Sequence, residues 1–182
     1  MNYTHGLILR NTVEAMQAYV VSQGDPVIVN NQCTLEILNF GFDLSYSYLI
    51  DVEDIKKNML DYYSENEIDY KNLEELEKNE YSVIMTKLFE KFELLKQDKN
   101  SRQVLFTDDC CISMIHYLIR NNKIYCYMHM RSSDCINKLF SDLNLVHRIT
   151  RKLQDITGIC FVDFNFTANS LHQIIYDVKK VK

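Results

Sequence analysis

Residues that interrupt regular structure are scarce in this chain, which has one proline and four glycines among 182 residues. Linkers, collagen-like repeats and low-complexity segments depend on these two residues, so their scarcity excludes such segments. The apolar fraction of 47% excludes intrinsic disorder. A chain of this length forms one sizeable core and is short for two, so we expect a single domain over residues 1–182.

Three further features are missing. No apolar run approaches the roughly 18 residues of a membrane span, and the N-terminus lacks the basic, apolar and small-residue order of a signal peptide. The six cysteines form no Cys-x-x-Cys pair, and the adjacent Cys110 and Cys111 have poor geometry for a tetrahedral metal site. These absences predict a cytoplasmic protein with reduced thiols, no bound metal and no membrane contact.

Charge is distributed unevenly along the chain. Residues 51–100 carry 8 basic and 14 acidic side chains, net −6, whereas residues 101–182 carry 11 basic and 7 acidic ones, net +4. With a total net charge of −5, the surface as a whole is unsuited to a long nucleic acid. The basic final segment leaves room for a local anion site. We interpret the acidic middle segment as a solvated helix face.

Hydrophobic periodicity and turn residues predict both helices and strands. Helices are predicted from residue 11 or 12 to Gly24, then over 51–63, 73–96 with a break near Asn79, 142–157 ended by Gly158, and 170–178. Strands are predicted over 26–29, 33–42, 104–106, 112–119, 124–130 and 159–166. A tight turn at Asn30-Asn31 is predicted to join the first two strands. Because strands and helices are largely segregated, the fold class is α+β.

The central pair of strands predicts a site. Asn121 and Asn122 separate the two apolar runs and suit a tight hairpin with positive φ. A hairpin folded there brings Cys111 next to Arg131, twenty positions later in the chain. A guanidinium favours the thiolate form of a neighbouring cysteine and is a natural phosphate ligand. This geometry predicts a nucleotide site.

The same region carries a family resemblance. Residues 115–124, followed by Met130-Arg131-Ser132-Ser133-Asp134, resemble the thymidylate synthase superfamily, and phage deoxycytidylate hydroxymethylase more closely than thymidylate synthase itself. Ser101-Arg102 and Ser170-Leu171-His172 resemble two further segments, and 32–42 and 55–63 match more weakly. The resemblance implies a thymidylate synthase-like fold, in which a mixed or antiparallel twisted sheet carries helices on one face.

The resemblance also implies roles for the central residues. Cys111 would attack C6 of a pyrimidine nucleotide as a thiolate and so make C5 nucleophilic. Arg131 and Ser132 would hold the 5′-phosphate through a charge-assisted fork and a hydroxyl. Asp134 would hydrogen-bond near the base and orient the site. The alternative is that Cys111 is a small core thiol on a strand.

Two outlying residues complete the set that the resemblance implies. Arg102 would reach the phosphate bound by a partner subunit, which implies a homodimer. His172 would belong to the water and proton network around the base. Methylenetetrahydrofolate would supply the one-carbon unit that is transferred to C5.

Asp142 bears on the choice of base. Uridylate enzymes of the family place asparagine at this position, whereas the hydroxymethylase places aspartate there. A carboxylate accepts hydrogen bonds and suits the exocyclic amino group of cytosine, so dCMP is favoured over dUMP. The alternative is that Asp142 caps the helix predicted to begin there.

Several positions depart from the family pattern. Met59 occupies the position of the catalytic glutamate, and a thioether cannot relay protons. Gln103 replaces an arginine, and Ile174 replaces a tyrosine that contacts the ribose. The segments that would bind and close over the folate are expected to be missing, since the chain ends eight residues after Ile174.

Two main functions are therefore weighed, beside a third in which the same nucleotide undergoes other chemistry without folate, such as C5 exchange or dehalogenation. One is a one-carbon transferase acting on C5 of a pyrimidine nucleotide, with dCMP as the favoured substrate. The other is a catalytically degenerate homologue that binds a pyrimidine nucleotide without folate-dependent turnover. The retained site residues favour the first function, and the departures favour the second.

Overall fold

The computed structural model describes residues 4–69, 75 and 77–177. Its α-helices are α1 His5–Gln23, α2 Val52–Glu65, α3 Ser82–Gln97 and α4 Leu139–Thr157. Its strands are β1 Asp25–Val29, β2 Gln32–Ser47, β3 Leu105–Thr107, β4 Ile112–Arg120, β5 Lys123–Asp134 and β6 Phe161–Asp177. A π-helical turn, Glu77–Tyr81, leads into α3. None of the described helices combines the length and apolar character needed to cross a membrane.

The strands form one six-stranded sheet in the order β1-β2-β6-β5-β4-β3. Neighbouring strands are antiparallel except for β5 and β6, which run parallel. A parallel pair needs a crossover connection, and α4 supplies it. The predicted α+β class and mixed sheet are confirmed.

Both tight turns predicted at paired asparagines are present. Asn30 and Asn31 connect β1 to β2 with φ of 51° and 64°, and Asn121 and Asn122 connect β4 to β5 with φ of 51° and 58°. Asparagine tolerates the left-handed region better than other side chains except glycine, which explains its use here. The second turn fixes the register that brings both ends of the β4–β5 hairpin together.

The helices pack on one face of the sheet, as predicted. Tyr117 of β4 connects two of them, since its ring lies 5.7 Å from that of Phe92 in α3 and its hydroxyl donates to the carbonyl of Val146 in α4. On the same face, Tyr19 of α1 packs against Phe40 of β2. The residues between these contacts are buried and form the hydrophobic core.

The opposite face, which we call the outer sheet face, is half-buried rather than core. Strand register aligns its side chains in rows, because alternate residues of paired strands point the same way. Its members on the central strands are Met114, His116, Leu118, Tyr125, Tyr127, His129, Asn165 and Thr167. In the part of the chain that is described, the helices that contact the sheet lie on the other side.

The predicted helix over 170–178 is wrong within the described residues. Strand β6 continues through this segment and pairs with β2 from Ser47↔Phe161 to Gln32↔Asp177. Long-range pairing along the 16-residue strand β2, itself predicted to end at residue 42, overrides the weak local helical pattern. Residue 178 lies outside the described residues.

Two helix starts also differ from prediction. Helix α1 begins at His5 rather than near residue 11, since the side chain of Thr4 caps it by accepting from the backbone N–H of Leu7 at 3.3 Å. Helix α4 begins at Leu139, so the alternative reading of Asp142 as its N-cap is wrong. The end of α4 is as predicted, because Gly158 adopts the left-handed conformation with φ of 71°.

Helix α2 is confirmed, and the long acidic helix only in part. Residues 73, 74 and 76 of its predicted range lie outside the described residues. The break predicted near Asn79 corresponds to the π-helical turn, after which α3 runs regularly to Gln97. This turn faces the candidate site.

Candidate functional site

Six of the seven predicted site residues line one cavity of about 460 Å³. It lies where β5 and β6 run side by side, next to the start of β4, the start of α4 and the π-helical turn. Its lining includes Cys111, Arg131, Ser132, Asp134, Asp142 and His172. The seventh residue, Arg102, is exposed and lies outside this lining.

Cys111 lies at the mouth of the cavity immediately before β4. Its carbonyl accepts a hydrogen bond of 2.8 Å from the backbone N–H of Arg131, so the hairpin holds the two residues together as predicted. The thiol is exposed, with Sγ 3.8 Å from the hydroxyl oxygen of Ser132. The alternative of a core thiol is therefore wrong. An accessible sulfur beside a hydroxyl can act as a nucleophile on a bound ligand.

The guanidinium of Arg131 is available to an anion. One of its nitrogens donates to the backbone carbonyl of Asp109 at 3.0 Å, which fixes the side chain towards the loop before Cys111. Its side chain makes no ion pair with any described residue. A guanidinium anchored by one bond keeps further donors for the oxygens of a phosphate.

Asp142 is almost completely buried, with 4% of its surface exposed. The hydroxyl of Tyr81 donates to its carboxylate at 2.5 Å. Burial raises the pKa of the Asp142 carboxyl to about 7, against the opposing effects of the Tyr81 hydrogen bond and the positive charge of Lys138. Near neutral pH the carboxyl therefore exists in both protonated and ionised forms, and it can donate as well as accept.

Asp134 has a structural role in addition to lining the cavity. One carboxylate oxygen accepts from the backbone N–H groups of Ile136 and Asn137, each at 3.1 Å. The other accepts from the side-chain amide of Asn137 at 2.7 Å. The carboxylate thus stabilises the turn between β5 and α4, which carries Lys138 and Asp142 to the cavity.

His172 reaches the cavity from β6, directly opposite Asp134 in the parallel pair. Its carbonyl accepts from the backbone N–H of Cys135 at 2.9 Å, which ties the end of β5 to β6. Two residues further along β6, Ile174 adds an apolar wall to the cavity. The strand that replaces the predicted helix therefore still delivers His172 to the site.

The cavity contains three polar residues that the sequence did not indicate: Glu80, Tyr81 and Lys138. The first two come from the π-helical turn. Such turns occur frequently at functional sites, and the predicted break near Asn79 was the one signal of it. No sequence pattern placed this turn against Asp142, because the two are 61 positions apart.

Met59, at the position where the resemblance implies a catalytic glutamate, does not line the cavity. It is fully buried in α2, with its sulfur 3.7 Å from the hydroxyl oxygen of Ser141. The same hydroxyl lies 2.9 Å from that of Tyr63. Position 59 therefore belongs to the packing between α2 and α4 and contributes no proton-transfer group.

The volume of the cavity and the ligating side chains around it determine what the cavity can bind. Small-molecule sites span roughly 300–1,000 Å³, and about 460 Å³ suits one ligand of nucleotide size. The folate that the resemblance implies stays a prediction. Within the described ranges, no three His, Cys, Asp or Glu side chains converge to hold a metal ion.

Comparison with known proteins leaves the family open. No model of a known protein family matches the chain, and no curated protein gives a significant match. The resemblance to the thymidylate synthase superfamily stays a prediction.

Proposed function

We propose that this chain binds a pyrimidine nucleoside 5′-monophosphate in the cavity and activates its C5 position through a covalent bond from Cys111 to C6. The proposal places the chain among thymidylate synthase-like proteins that act as pyrimidine C5 one-carbon transferases. One observation supports it above all: a thiol, a guanidinium and a buried carboxyl, distant in sequence, line one cavity of suitable size.

Each group has a distinct task in this proposal. Arg131 and Ser132 bind the phosphate, which leaves the base between Cys111 and the interior of the cavity. Addition of the thiolate to C6 moves the electrons of the C5=C6 bond to C5, where an electrophile or a proton is then accepted. His172 lies at the same end of the sheet and contacts the water around the base.

Asp142 favours cytosine over uracil. Its ionised form accepts from the exocyclic amino group of cytosine and has no donor for the O4 oxygen of uracil. The bond from Tyr81 fixes the carboxyl, so the base meets an oriented group rather than a mobile one. We infer dCMP as the preferred nucleotide for this reason.

The alternative function is a pyrimidine nucleotide-binding protein without one-carbon transfer. The burial of Met59 favours it, since no carboxylate enters the cavity from α2. The limited cavity volume also favours it, because a folate-sized donor would compete with the nucleotide for space. Binding of dCMP is common to both functions, and covalent chemistry at Cys111 separates them.

Arg131→Ala should weaken dCMP binding by about 10- to 100-fold, measured by isothermal titration calorimetry. A hydrogen bond to a charged group contributes roughly 1.5–3 kcal/mol, and the variant removes it from the phosphate. Arg120→Ala is the matched control, since Arg120 lies at the far end of β4 outside the cavity. Absence of dCMP binding by the wild-type protein, or equal losses in both variants, would contradict the proposed site.

The outer sheet face supports a homodimer. In its central rows Leu118 lies beside Tyr125, and His116 lies beside Tyr127. A cluster of apolar and aromatic side chains on a sheet surface is typical of a site that binds another protein. Arg102 borders this face, because the ring of His116 donates to its carbonyl at 3.1 Å. Pairing through this face would let Arg102 extend towards a second copy.

All six cysteines are free, which supports a reducing cytoplasm as the location.

Leu118→Glu should convert such a dimer to a monomer, as measured by sedimentation velocity. The change places an unpaired charge in the middle of the outer sheet face, and burial of that charge in an interface costs several kcal/mol. Val21→Glu, at an exposed position of α1 on the helical side of the sheet, should leave the dimer intact. A wild-type protein that sediments as a monomer at micromolar concentration would overturn the dimer.

A further inference from the structure

The cavity contains one carboxylate that has no structural task. Asp134 is held by three hydrogen bonds of the turn before α4, and Asp142 is held by Tyr81. Glu80, by contrast, is exposed and makes no hydrogen bond or ion pair with any described residue, although it lines the cavity. An unengaged carboxylate in a ligand-sized cavity is free to interact with whatever binds there.

The position of Glu80 is set by the π-helical turn. Glu80 directly precedes Tyr81, whose hydroxyl donates a hydrogen bond to the carboxylate of Asp142. This hydrogen bond holds the turn, and with it Glu80, at the cavity. Burial is the main reason for the raised pKa values of Cys110 and Asp142, and the negative charge of Glu80 adds to both. Glu80 therefore lines the same cavity as Cys110 and Asp142.

We propose that Glu80 is the acid–base residue of the site and that it moves the proton at C5 of the nucleotide bound to Cys111. This inference rests on the proposed function and names the group that completes its chemistry. Position 59 provides no such group, because Met59 is buried outside the cavity. The carboxylate comes instead from the π-helical turn before α3.

The reaction that these two residues support is exchange of the C5 hydrogen with water. A bond forms between the sulfur of Cys111 and C6, the electron pair of the C5=C6 bond moves to C5, and C5 takes a proton from the carboxylic acid form of Glu80. The Glu80 carboxylate then removes the original C5 hydrogen as a proton. The C–H electron pair restores the double bond, and the carbon–sulfur bond breaks with its pair returning to sulfur.

This cycle balances without another reactant. The nucleotide is regenerated with a hydrogen from water at C5, and Glu80 exchanges its proton with solvent through its exposed side. Neither an oxidant, a reductant nor a one-carbon donor is consumed. The reaction therefore fits a cavity that accommodates a single ligand.

Release of tritium from [5-³H]dCMP into water tests the inference directly. The wild-type protein should release tritium with no added cofactor, and Glu80→Gln should lower the rate by about 100-fold or more, the usual contribution of general acid–base catalysis. Binding of dCMP by calorimetry should change by less than about twofold, because the amide keeps the shape of the side chain. Glu90→Gln, an exposed change on the far side of α3, should leave both quantities unchanged.

Chemical rescue distinguishes proton transfer from a structural effect. Glu80→Ala leaves space beside the base, and added formate should restore part of the lost exchange, whereas a purely positional role would give no rescue. The inference is overturned if the wild-type protein binds dCMP but releases no tritium, if Glu80→Gln exchanges at the wild-type rate, or if formate has no effect. Absence of dCMP binding by the wild-type protein would instead overturn the proposed function itself.

Discussion

Cys111→Ser should abolish covalent capture of 5-fluoro-dCMP, with a loss of at least about 1,000-fold in the rate of adduct formation. Serine keeps the small polar shape beside Ser132, but a hydroxyl does not ionise near neutral pH as a thiol does. Fluorine at C5 withdraws electrons from the C5=C6 bond and stabilises the negative charge at C5, so it favours the adduct in which the thiolate is bonded to C6. Intact-protein mass spectrometry should detect the adduct on the wild-type chain, and peptide mapping should locate it at Cys111.

The neighbouring cysteine offers a matched control. Cys110 is half-buried, and its thiol donates to the carbonyl of Ile112 at 3.1 Å. Cys110→Ser keeps this donor and should leave the adduct unchanged. Cys111→Ser should still bind dCMP by calorimetry, since the phosphate and base contacts come from other residues. An adduct that persists in Cys111→Ser, or that maps to Cys110, would reject the assignment of the nucleophile.

Two buried histidines should lower the free energy of unfolding by about 4 kcal/mol between pH 8 and pH 5. Urea denaturation measures this as the difference in pH dependence between the wild-type protein and the variant that lacks both rings, because the raised pKa of the Asp142 carboxyl acts in the opposite direction in both proteins. Burial lowers the pKa of His5 to about 4 and that of His147 to about 3. In the unfolded chain both take up a proton near pH 6.5, while the folded chain keeps them neutral until lower pH. The stability is thus present above pH 6.5 and is lost as the pH falls towards 4, by about 2 kcal/mol for each residue at pH 5.

The surroundings of the two rings support this direction. Their centroids lie 5.0 Å apart, so a second positive charge would be repelled by the first. Both nitrogens of His5 and one of His147 are buried without a hydrogen-bond partner among the described residues. The negative charges of Asp51, which caps α2, and of Asp54, in its first turn, act in the opposite direction on His5, and they are too weak to cancel the effect of burial.

Aromatic replacement isolates the contribution of each ring. His5→Phe and His147→Phe should each remove about half of this pH dependence, because phenylalanine fills the space without a titrating group. Tyr46→Phe is the control, since it alters the same cluster while the pKa of Tyr46 is raised far above this range, mainly by burial. Identical pH slopes in the wild-type protein and both histidine variants would refute the prediction.

The sequence predicted those parts of the fold that depend on the backbone preferences of a few neighbouring residues. The paired asparagines specified both tight turns, because few other side chains tolerate positive φ. Gly158 specified the end of α4 for the same reason. The second half of β6 was missed because pairing with β2, more than a hundred positions away, decides its structure. A single sequence does not reveal such pairing.

The candidate site divides in the same way. The spacing between Cys111 and Arg131 becomes proximity through one hairpin, so the sequence could predict it. Glu80 and Tyr81 reach the cavity through an irregular turn whose position depends on tertiary packing, and no local pattern encodes that. The burial that raises the pKa of Asp142 is also a tertiary property.

The length of the β4–β5 hairpin has a practical consequence for engineering. Strand β4 has nine residues, so at about 3.4 Å per residue the turn at Asn121 and Asn122 lies roughly 30 Å from Cys111. A peptide tag or a fluorescent domain inserted at this turn would sit at the opposite end of the molecule from the reactive sulfur. The protein could therefore be immobilised or labelled at this turn while the mouth of the cavity stays open to ligand.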